Sequence, residues 1–411
     1  VSSAGQRIYE QLRPRLLQVR TLLRTQDSQS SVGSGFLVSN AGHLITNFHV
    51  ISQYALQPKR NRLVYVTADG EQGPLQLLAI DVLHDLALLK AADPRALADR
   101  GAVPLRLDDS TLARGSALFA LGNPLDVGFA VTEGTYNGLV ERSFIPTLFF
   151  GGSLSPGMSG GPTVDDAGRV VGINVATRRD GEQVSFLVPV TFARALIERS
   201  RNAQPLVEPV YPELVAQLQA HSAALTTRFV ALPWRAAGNS RYKIPVPQEE
   251  FMRCWGQGSP QATRGLQFER SDCAMDSRVY VGASLVTGHL SVRHEIYDGS
   301  KLGPLRFAQR YSASFRNEYF GIDSRQLTAP QCVQRTVDRE GLPLRAVLCL
   351  NAYKRLPGLY SLGVLVTTLD QPTAGAQGRF DASGVTFDDA MRLARHYLDG
   401  FAWTDPKPAS H

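Results

Sequence analysis

Ser155-Pro-Gly-Met-Ser-Gly-Gly-Pro-Thr-Val-Asp-Asp-Ala-Gly-Arg-Val-Val-Gly-Ile173 is the stretch on which the reading of this chain turns. One serine, Ser159, has glycines on both sides. A strand-like Pro-Thr-Val follows, then a turn over Asp165 to Gly168, then a second strand from Val170 to Asn174. Glycines in that density mark backbone that turns sharply and comes close to something else. A serine so placed reads as a nucleophile whose neighbouring N–H groups hold an oxyanion.

A serine hydroxyl needs a base to take its proton, and a carboxylate to fix the tautomer and orientation of that base. His49 follows a buried-looking strand and a polar Asn47. Asp85 opens Asp-Leu-Ala-Leu-Leu-Lys, a strand otherwise almost wholly apolar. Each alone has a plainer reading, as a structural histidine, a strand-start cap and a simple turn serine. The order His, Asp, Ser with these flanks favours a triad. Gly157-Met-Ser-Gly-Gly161 also fits the nucleophile elbow of an α/β-hydrolase. That elbow requires a helix directly after the serine, where Pro162 and another strand stand instead. Gly33-Ser-Gly35 starts like a dinucleotide fingerprint but lacks the third glycine and the helix.

With these residues in place the chain resembles the trypsin-like serine peptidases, and among them the bacterial HtrA-type branch. The resemblance rests on Gly33-Ser-Gly-Phe-Leu-Val-Ser-Asn-Ala-Gly-His-Leu-Ile-Thr-Asn-Phe-His-Val50, on His84-Asp-Leu-Ala-Leu-Leu89, and on Leu121-Gly-Asn-Pro-Leu125 with Val131-Thr-Glu-Gly134. It is completed by Pro156-Gly-Met-Ser-Gly-Gly-Pro162, Val171-Gly-Ile-Asn174 and Phe186-Leu-Val-Pro189. It implies two six-stranded antiparallel barrels over roughly residues 15–200 with the site between them. It also implies His49 as general base, Asp85 as its orienting group, Ser159 as nucleophile, and the backbone N–H groups of Gly157 and Ser159 as the oxyanion hole. The pocket walls would be Ser153, Leu154, Val175, Ala176 and Thr177. None is acidic, so small or medium apolar side chains are expected rather than Arg or Lys. Met158 departs from the family: an Asp there in the digestive relatives pairs with a new N-terminus, and Met cannot.

Short strands with Gly, Pro and Asn turns and almost no helix organise residues 31–200. Residues 1–30 read as an N-terminal arm and first strand, the arm over 1–12 being a short helix or loose. Ala130–Glu141 reads as a strand pair through Gly134, and Val190–Arg199 as a closing helix. A proline-rich linker spans 201–212, and a helix is expected over Pro212–Arg228. Residues 213–411 form a separate β-rich domain of unknown type, with strands expected at Val279–Leu285, Leu290–Tyr297, Tyr311–Phe315, Arg345–Tyr353 and Tyr360–Leu369, and a helix at Thr386–Phe401. The PDZ domains usual in HtrA-type proteins have no counterpart there. Trp234, Trp255, Tyr311 and Tyr319 are core aromatics or a face for a regulatory or substrate-docking partner.

The cysteines, Cys254, Cys273, Cys332 and Cys349, include no Cys-x-x-Cys, which argues against zinc and redox motifs. Their spacing suggests Cys254–Cys273 and Cys332–Cys349, out of three possible pairings, and an oxidising compartment. The alternative is four free thiols. With 43 basic against 37 acidic residues and no Lys/Arg block, nucleic acid is not an expected partner. No apolar run is long enough to span a membrane. The opening Val-Ser-Ser-Ala-Gly has neither a basic region nor an apolar core, as in a chain whose leader has been removed. The expectation is a mainly β, periplasmic or secreted serine endopeptidase with no cofactor or metal, acting on protein or peptide substrates. Its rival is a latent protease-like binding or chaperone module.

Overall fold

A computed structural model describes residues 1–107, 112–175, 185–235, 241–260, 265–315 and 325–404. The chain divides into two compact units. The first holds Val1–Glu141, Ile145–Leu214 and Val279–Val286, the second Arg142–Phe144, Val215–Arg278 and Thr287–His411.

The first unit opens with helix α1 (Ser3–Leu12), capped by the Ser2 side chain, which accepts from the Gly5 N–H. Its apolar face sends Ile8 and Leu12 into the core. Strands β1 (Leu16–Leu23), β2 (Gln29–Leu37), β3 (His43–Thr46), β4 (Asn61–Thr67), β5 (Gln72–Asp81) and β6 (Leu86–Ala91) close into a barrel of order β1-β2-β3-β6-β5-β4. Helix α2 (Phe48–Leu56) sits between β3 and β4. A second closed barrel, β10-β11-β12-β9-β8-β7, is built from β7 (Ala117–Gly122), β8 (Ala130–Leu139), β9 (Leu148–Phe150), β10 (Pro162–Val164), β11 (Val170–Val175) and β12 (Ser185–Pro189). Closure leaves no unpaired edge. Helix α3 (Val190–Ser200) follows β12 and buries Val190, Ala193 and Leu196. The double barrel expected from the resemblance is what the chain forms.

Three local expectations are corrected. Ala130–Glu141 is not a strand pair: β8 runs through Gly134, which pairs with Leu118. A Cβ on Gly134 would lie 2.6 Å from the Phe150 ring, so this glycine makes room for a neighbour rather than a turn. Tyr311–Phe315 is not a strand: helix α5 (Pro304–Ser314) covers it, started by Pro304 and stabilised by the stacked rings of Phe307 and Tyr311, four residues apart. Val279–Leu285 is not one strand but the start of a hairpin, β16 (Val279–Gly282) with β17 (Leu285–Thr287).

The chain passes from the first unit to the second within α4 (Tyr211–Ala231). The second unit is a seven-stranded antiparallel sheet of order β14-β15-β18-β22-β21-β20-β19. Its strands are β14 (Met252–Gly258), β15 (Gln267–Met275), β18 (Leu290–Asp298), β19 (Gln331–Arg339), β20 (Leu342–Ala352), β21 (Tyr360–Thr368) and β22 (Ala374–Val385). Two short strands, β13 (Tyr242–Lys243) and β23 (Ala402–Trp403), pair beside it. Helix α6 (Phe387–Asp399), capped by Thr386, sets Leu393 and Tyr397 against Val364, Val366 and Phe380 of the sheet. Leu365, on the alternate face of β21, joins Val347 and Cys349 in a separate cluster.

Both disulfides are cross-strand. Cys254–Cys273 ties edge strand β14 to β15, and Cys332–Cys349 ties edge strand β19 to β20, each between directly opposed residues. In the loop-entropy account each contributes about 3 kcal/mol. Of the singled-out aromatics, Trp255 is 73% exposed on β14, Tyr311 is buried, Trp234 stacks on His396, and Tyr319 lies outside the described residues.

One fully buried histidine, His294, and two half-buried ones, His289 and His396, should give the second unit a pH dependence. His294 is fully buried, its Nδ1 has no hydrogen-bond partner, and burial pushes its pKa down to about 3. Burial and the nearby Arg278 charge push His289 down to about 4, and burial lowers His396 as well. Glu249 works in the opposite sense, its pKa raised to about 7 by burial. The unfolded histidines take up protons below about pH 6.5 that the folded ones refuse, so their contribution is present above that pH and is lost on acidification. The downward displacements of His294 and His289 together exceed the upward one of Glu249. The melting temperature of the second unit is therefore expected to fall between about pH 6.5 and 4.5, a window above the range of ordinary carboxylates. Calorimetry across that window checks this, and a flat melting temperature contradicts it.

Candidate active site

His49 lies in the first turn of α2, a helix the strand-rich reading of this segment did not anticipate, with Asn47 as its N-cap residue. Asp85 lies in the turn that leads into β6, the neighbour of β3. The two are joined twice. His49 Nδ1 is 2.6 Å from Asp85 Oδ2, and the His49 backbone N–H donates to Asp85 Oδ1 at 2.8 Å. The Asp85 carbonyl is also held, accepting from the Phe48 N–H at 3.0 Å and from Asn47 Nδ2 at 2.9 Å. This grip places Asp85 at φ 54°, left-handed backbone that asparagine and aspartate tolerate better than most residues. The neighbouring His84 does not compete, because its ring is bonded to Asp81 at 2.9 Å and stacked on Phe192.

The His49 side chain is 30% exposed and that of Asp85 22%. Burial alone would pull the His49 pKa down. The Asp85 charge and hydrogen bond outweigh it, and the pKa ends above the usual imidazole value. His49 Nδ1–H therefore donates to the carboxylate when the ring is neutral, leaving Nε2 as the basic nitrogen.

Ser159 comes from the other barrel, just before β10, and is 5% exposed. Its carbonyl accepts from the Ser34 N–H of β2 at 2.8 Å, which links the two barrels at the serine itself. Ser34 Oγ donates to the Gly157 carbonyl at 2.7 Å and accepts from the Asn123 N–H at 2.9 Å. The Pro156 carbonyl accepts from the Leu125 N–H at 2.8 Å. A trans peptide points its N–H opposite its C=O, so this last bond sets the direction of the Gly157 N–H. No acceptor for the Gly157 N–H occurs among the described residues. Gly160, at φ +86°, has the Ser34 carbonyl 2.2 Å from where a Cβ would sit, so only glycine fits beside the serine.

Leu125 and Asp126, the residues after the Asn123-Pro turn, are both left-handed, at φ 53° and 60°. Asp126 is held by Arg20 of β1 at 3.2 Å and by Gln18 of the same strand. Met158 is 1% exposed in an apolar cluster with Leu118, Leu148, Phe150, Leu154 and Leu187. An acid there would be buried without a partner.

Among the pocket residues, Ser153 is exposed and Val175 half-buried at the end of β11. Leu154 packs in the second barrel's core while its N–H donates to Ser185 Oγ at 3.0 Å. Ala176 and Thr177 lie outside the described residues. Sequence reasoning assigned no role to Ser34 and Leu125, although both lie in the quoted motifs, and did not single out Asp126; their parts show only in the contacts of the fold. It also missed Tyr280 of β16, whose ring meets the His49 imidazole edge-on at 6.1 Å between centroids.

Residues 33–173 match the model of the trypsin-like peptidase domain family. A DegP-like periplasmic serine endoprotease of Marinomonas sp. is 33% identical over 187 residues, which is 43% of this chain and 37% of that protein. One from Pseudomonas fluorescens is 33% identical over 177 residues, 41% of this chain and 34% of the relative. The crystal structure of the serine endoprotease from Yersinia pestis matches over 48% of this chain and 67% of that one, at 26% identity and a TM-score of 0.41. The chain spans little more than a third of the length of these two curated relatives. Within those bounds residues 33–173 match the trypsin-like peptidase domain family, and the chain is similar in sequence to the DegP-like serine endoproteases.

Proposed function

We propose that the first unit is a serine endopeptidase working through Ser159, His49 and Asp85. The observation that carries this reading is the double hold of Asp85 on His49, through Nδ1 and the backbone N–H, in the same fold that anchors Ser159 to Ser34. Ser159 Oγ attacks the scissile carbonyl and its proton passes to His49 Nε2. The oxyanion is received by the N–H groups of Gly157 and Ser159. His49 then protonates the departing amine, leaving an acyl-enzyme that water, activated by the same imidazole, hydrolyses. Asp85 stabilises the imidazolium at each step without becoming protonated.

Substrates are proteins or peptides. Ser153, Leu154, Val175, Ala176 and Thr177 bring no acidic group to the pocket, which favours small or medium apolar side chains over Arg and Lys. The periplasm or the exterior is the proposed site of action, supported by the two disulfides and by the periplasmic designation of the relatives. The second unit is the proposed place for a regulatory or substrate-docking partner. Among the described residues no helix is long and apolar enough to cross a membrane.

A fluorophosphonate label tests the reading. It should modify the wild-type protein at Ser159 and leave Ser159→Ala untouched. Folded wild-type protein that takes no label under any condition rejects the enzyme and favours the binding or chaperone module. The pH dependence of labelling is a second check. Only neutral His49 accepts the serine proton, so the rate should rise with pH, with a midpoint above the ordinary value of about 6.5 because Asp85 raises the His49 pKa. A profile flat from pH 5 to 8 would argue against a histidine base.

A further inference from the structure

The hairpin β16–β17 stands in sequence between β15 and β18 of the second unit, yet residues Val279–Val286 belong to the first. Val279 and Val281 are 1% and 2% exposed, so alternate side chains of β16 point inward. At Gly282 a Cβ would stand 3.1 Å from Leu56 Cδ1, which puts the strand against α2, the helix whose first turn carries His49. Tyr280, between the two buried valines, is half-buried, and its ring lies edge-on to the His49 imidazole at 81° between planes. Among the described residues no hydrogen bond joins the two rings. The contact is that of an aromatic wall, not of a proton relay.

From this placement we infer that Tyr280 is a specificity-determining residue of the peptidase site, limiting the size of the substrate side chain that lies beside His49. The inference rests on the reading of Ser159 and His49 given above. Asp85 occupies the Nδ1 side of the imidazole. The exposed remainder of the ring must face the bound substrate if Nε2 is to exchange a proton with Ser159. A substrate side chain next to the scissile residue then lies against the wall that the imidazole and the adjoining Tyr280 ring form together. The hydroxyl has no part in this, and ring volume alone decides what enters.

The test uses the full chain and two peptidyl diphenyl phosphonates that share a valine-like phosphorus-bearing residue. They differ only in the preceding side chain, alanine in one and phenylalanine in the other. A small alkyl fluorophosphonate serves as control. Tyr280→Ala should raise the ratio of inactivation rates, phenylalanine probe over alanine probe, by about tenfold or more, the scale set by pocket volume changes. Its rate with the small probe should stay within about twofold of wild type. Tyr280→Phe should keep the wild-type ratio, and Tyr280→Trp should lower it. The tryptophan and phenylalanine variants carry the test if the alanine variant does not fold.

An unchanged ratio in Tyr280→Ala, with the small probe still reacting normally, overturns the inference and leaves the peptidase reading intact. A parallel slowing of all three probes with a shifted pH midpoint also overturns it, because Tyr280 would then be positioning His49. Failure of folded wild-type protein to react with any probe removes the reading of Ser159, and this inference with it.

Discussion

Ser159→Ala and His49→Ala should each lower turnover by on the order of 10⁶-fold, and the two together should cost little more, if the groups act as one unit. In the proposed mechanism the serine supplies the bond-forming oxygen, and without His49 that oxygen keeps its proton. Removing the second group after the first therefore takes away nothing still in use. Residual activity reflects oxyanion stabilisation and binding, on the order of 10³ to 10⁴ over water. Ser159→Ala is also the cleaner structural probe. It keeps the Ser159 carbonyl that accepts from Ser34, and the Gly160 turn behind it. Single-turnover rates on a labelled protein substrate, with melting temperatures alongside, check the claim. Losses that add in the double variant would show that the residues act separately and that the assignment is wrong.

Asp85→Asn should lower kcat/KM by about 10⁴-fold with the fold intact. The carboxylate accepts two hydrogen bonds from His49, one from Nδ1 and one from the backbone N–H. An amide has one oxygen for both, and its NH₂ group favours the tautomer that leaves Nδ1 as acceptor. The proton then sits on Nε2, where it blocks transfer from Ser159. The backbone does not confound the experiment, since asparagine accepts the left-handed φ of 54° at this position. A second consequence carries a definite sign. Asp85 raises the His49 pKa against the pull of burial, so its removal leaves burial in control and the pH midpoint must move down. A variant with a wild-type plateau, or a midpoint that rises, contradicts the role given to Asp85.

The parts of the site carried by short, contiguous motifs were legible in the sequence. Glycines around Ser159, an apolar strand opened by Asp85, and a hairpin leading to His49 each impose their geometry within a few residues. Turn residues recurring at short intervals between apolar runs pointed to an antiparallel β fold, and the closure into two barrels came from the family resemblance. What escaped depends on contacts between distant segments. Gly134 reads as a turn until Phe150 is placed above it. Residues 311–315 are apolar and aromatic enough for a strand, but Tyr311 stacks on Phe307 in a helix that Pro304 starts and that ends at Ser314. The apolar run after Arg278 gives no sign that it folds back as a hairpin, or that Tyr280 ends beside His49. The expected pocket residues Ala176 and Thr177 lie outside the described residues.

The return of residues Val279–Val286 to the first unit has a consequence for the order of synthesis. When Leu214 has left the ribosome, both barrels are present, but the strand that lies on α2 has not been made. It emerges only after residues 215–278, at ribosomal rates of roughly 5–20 residues per second a delay of several seconds. During that interval the nascent chain holds all three proposed triad residues without Tyr280 beside His49. The first unit thus reaches its final form late, after a long stretch of its neighbour has been translated.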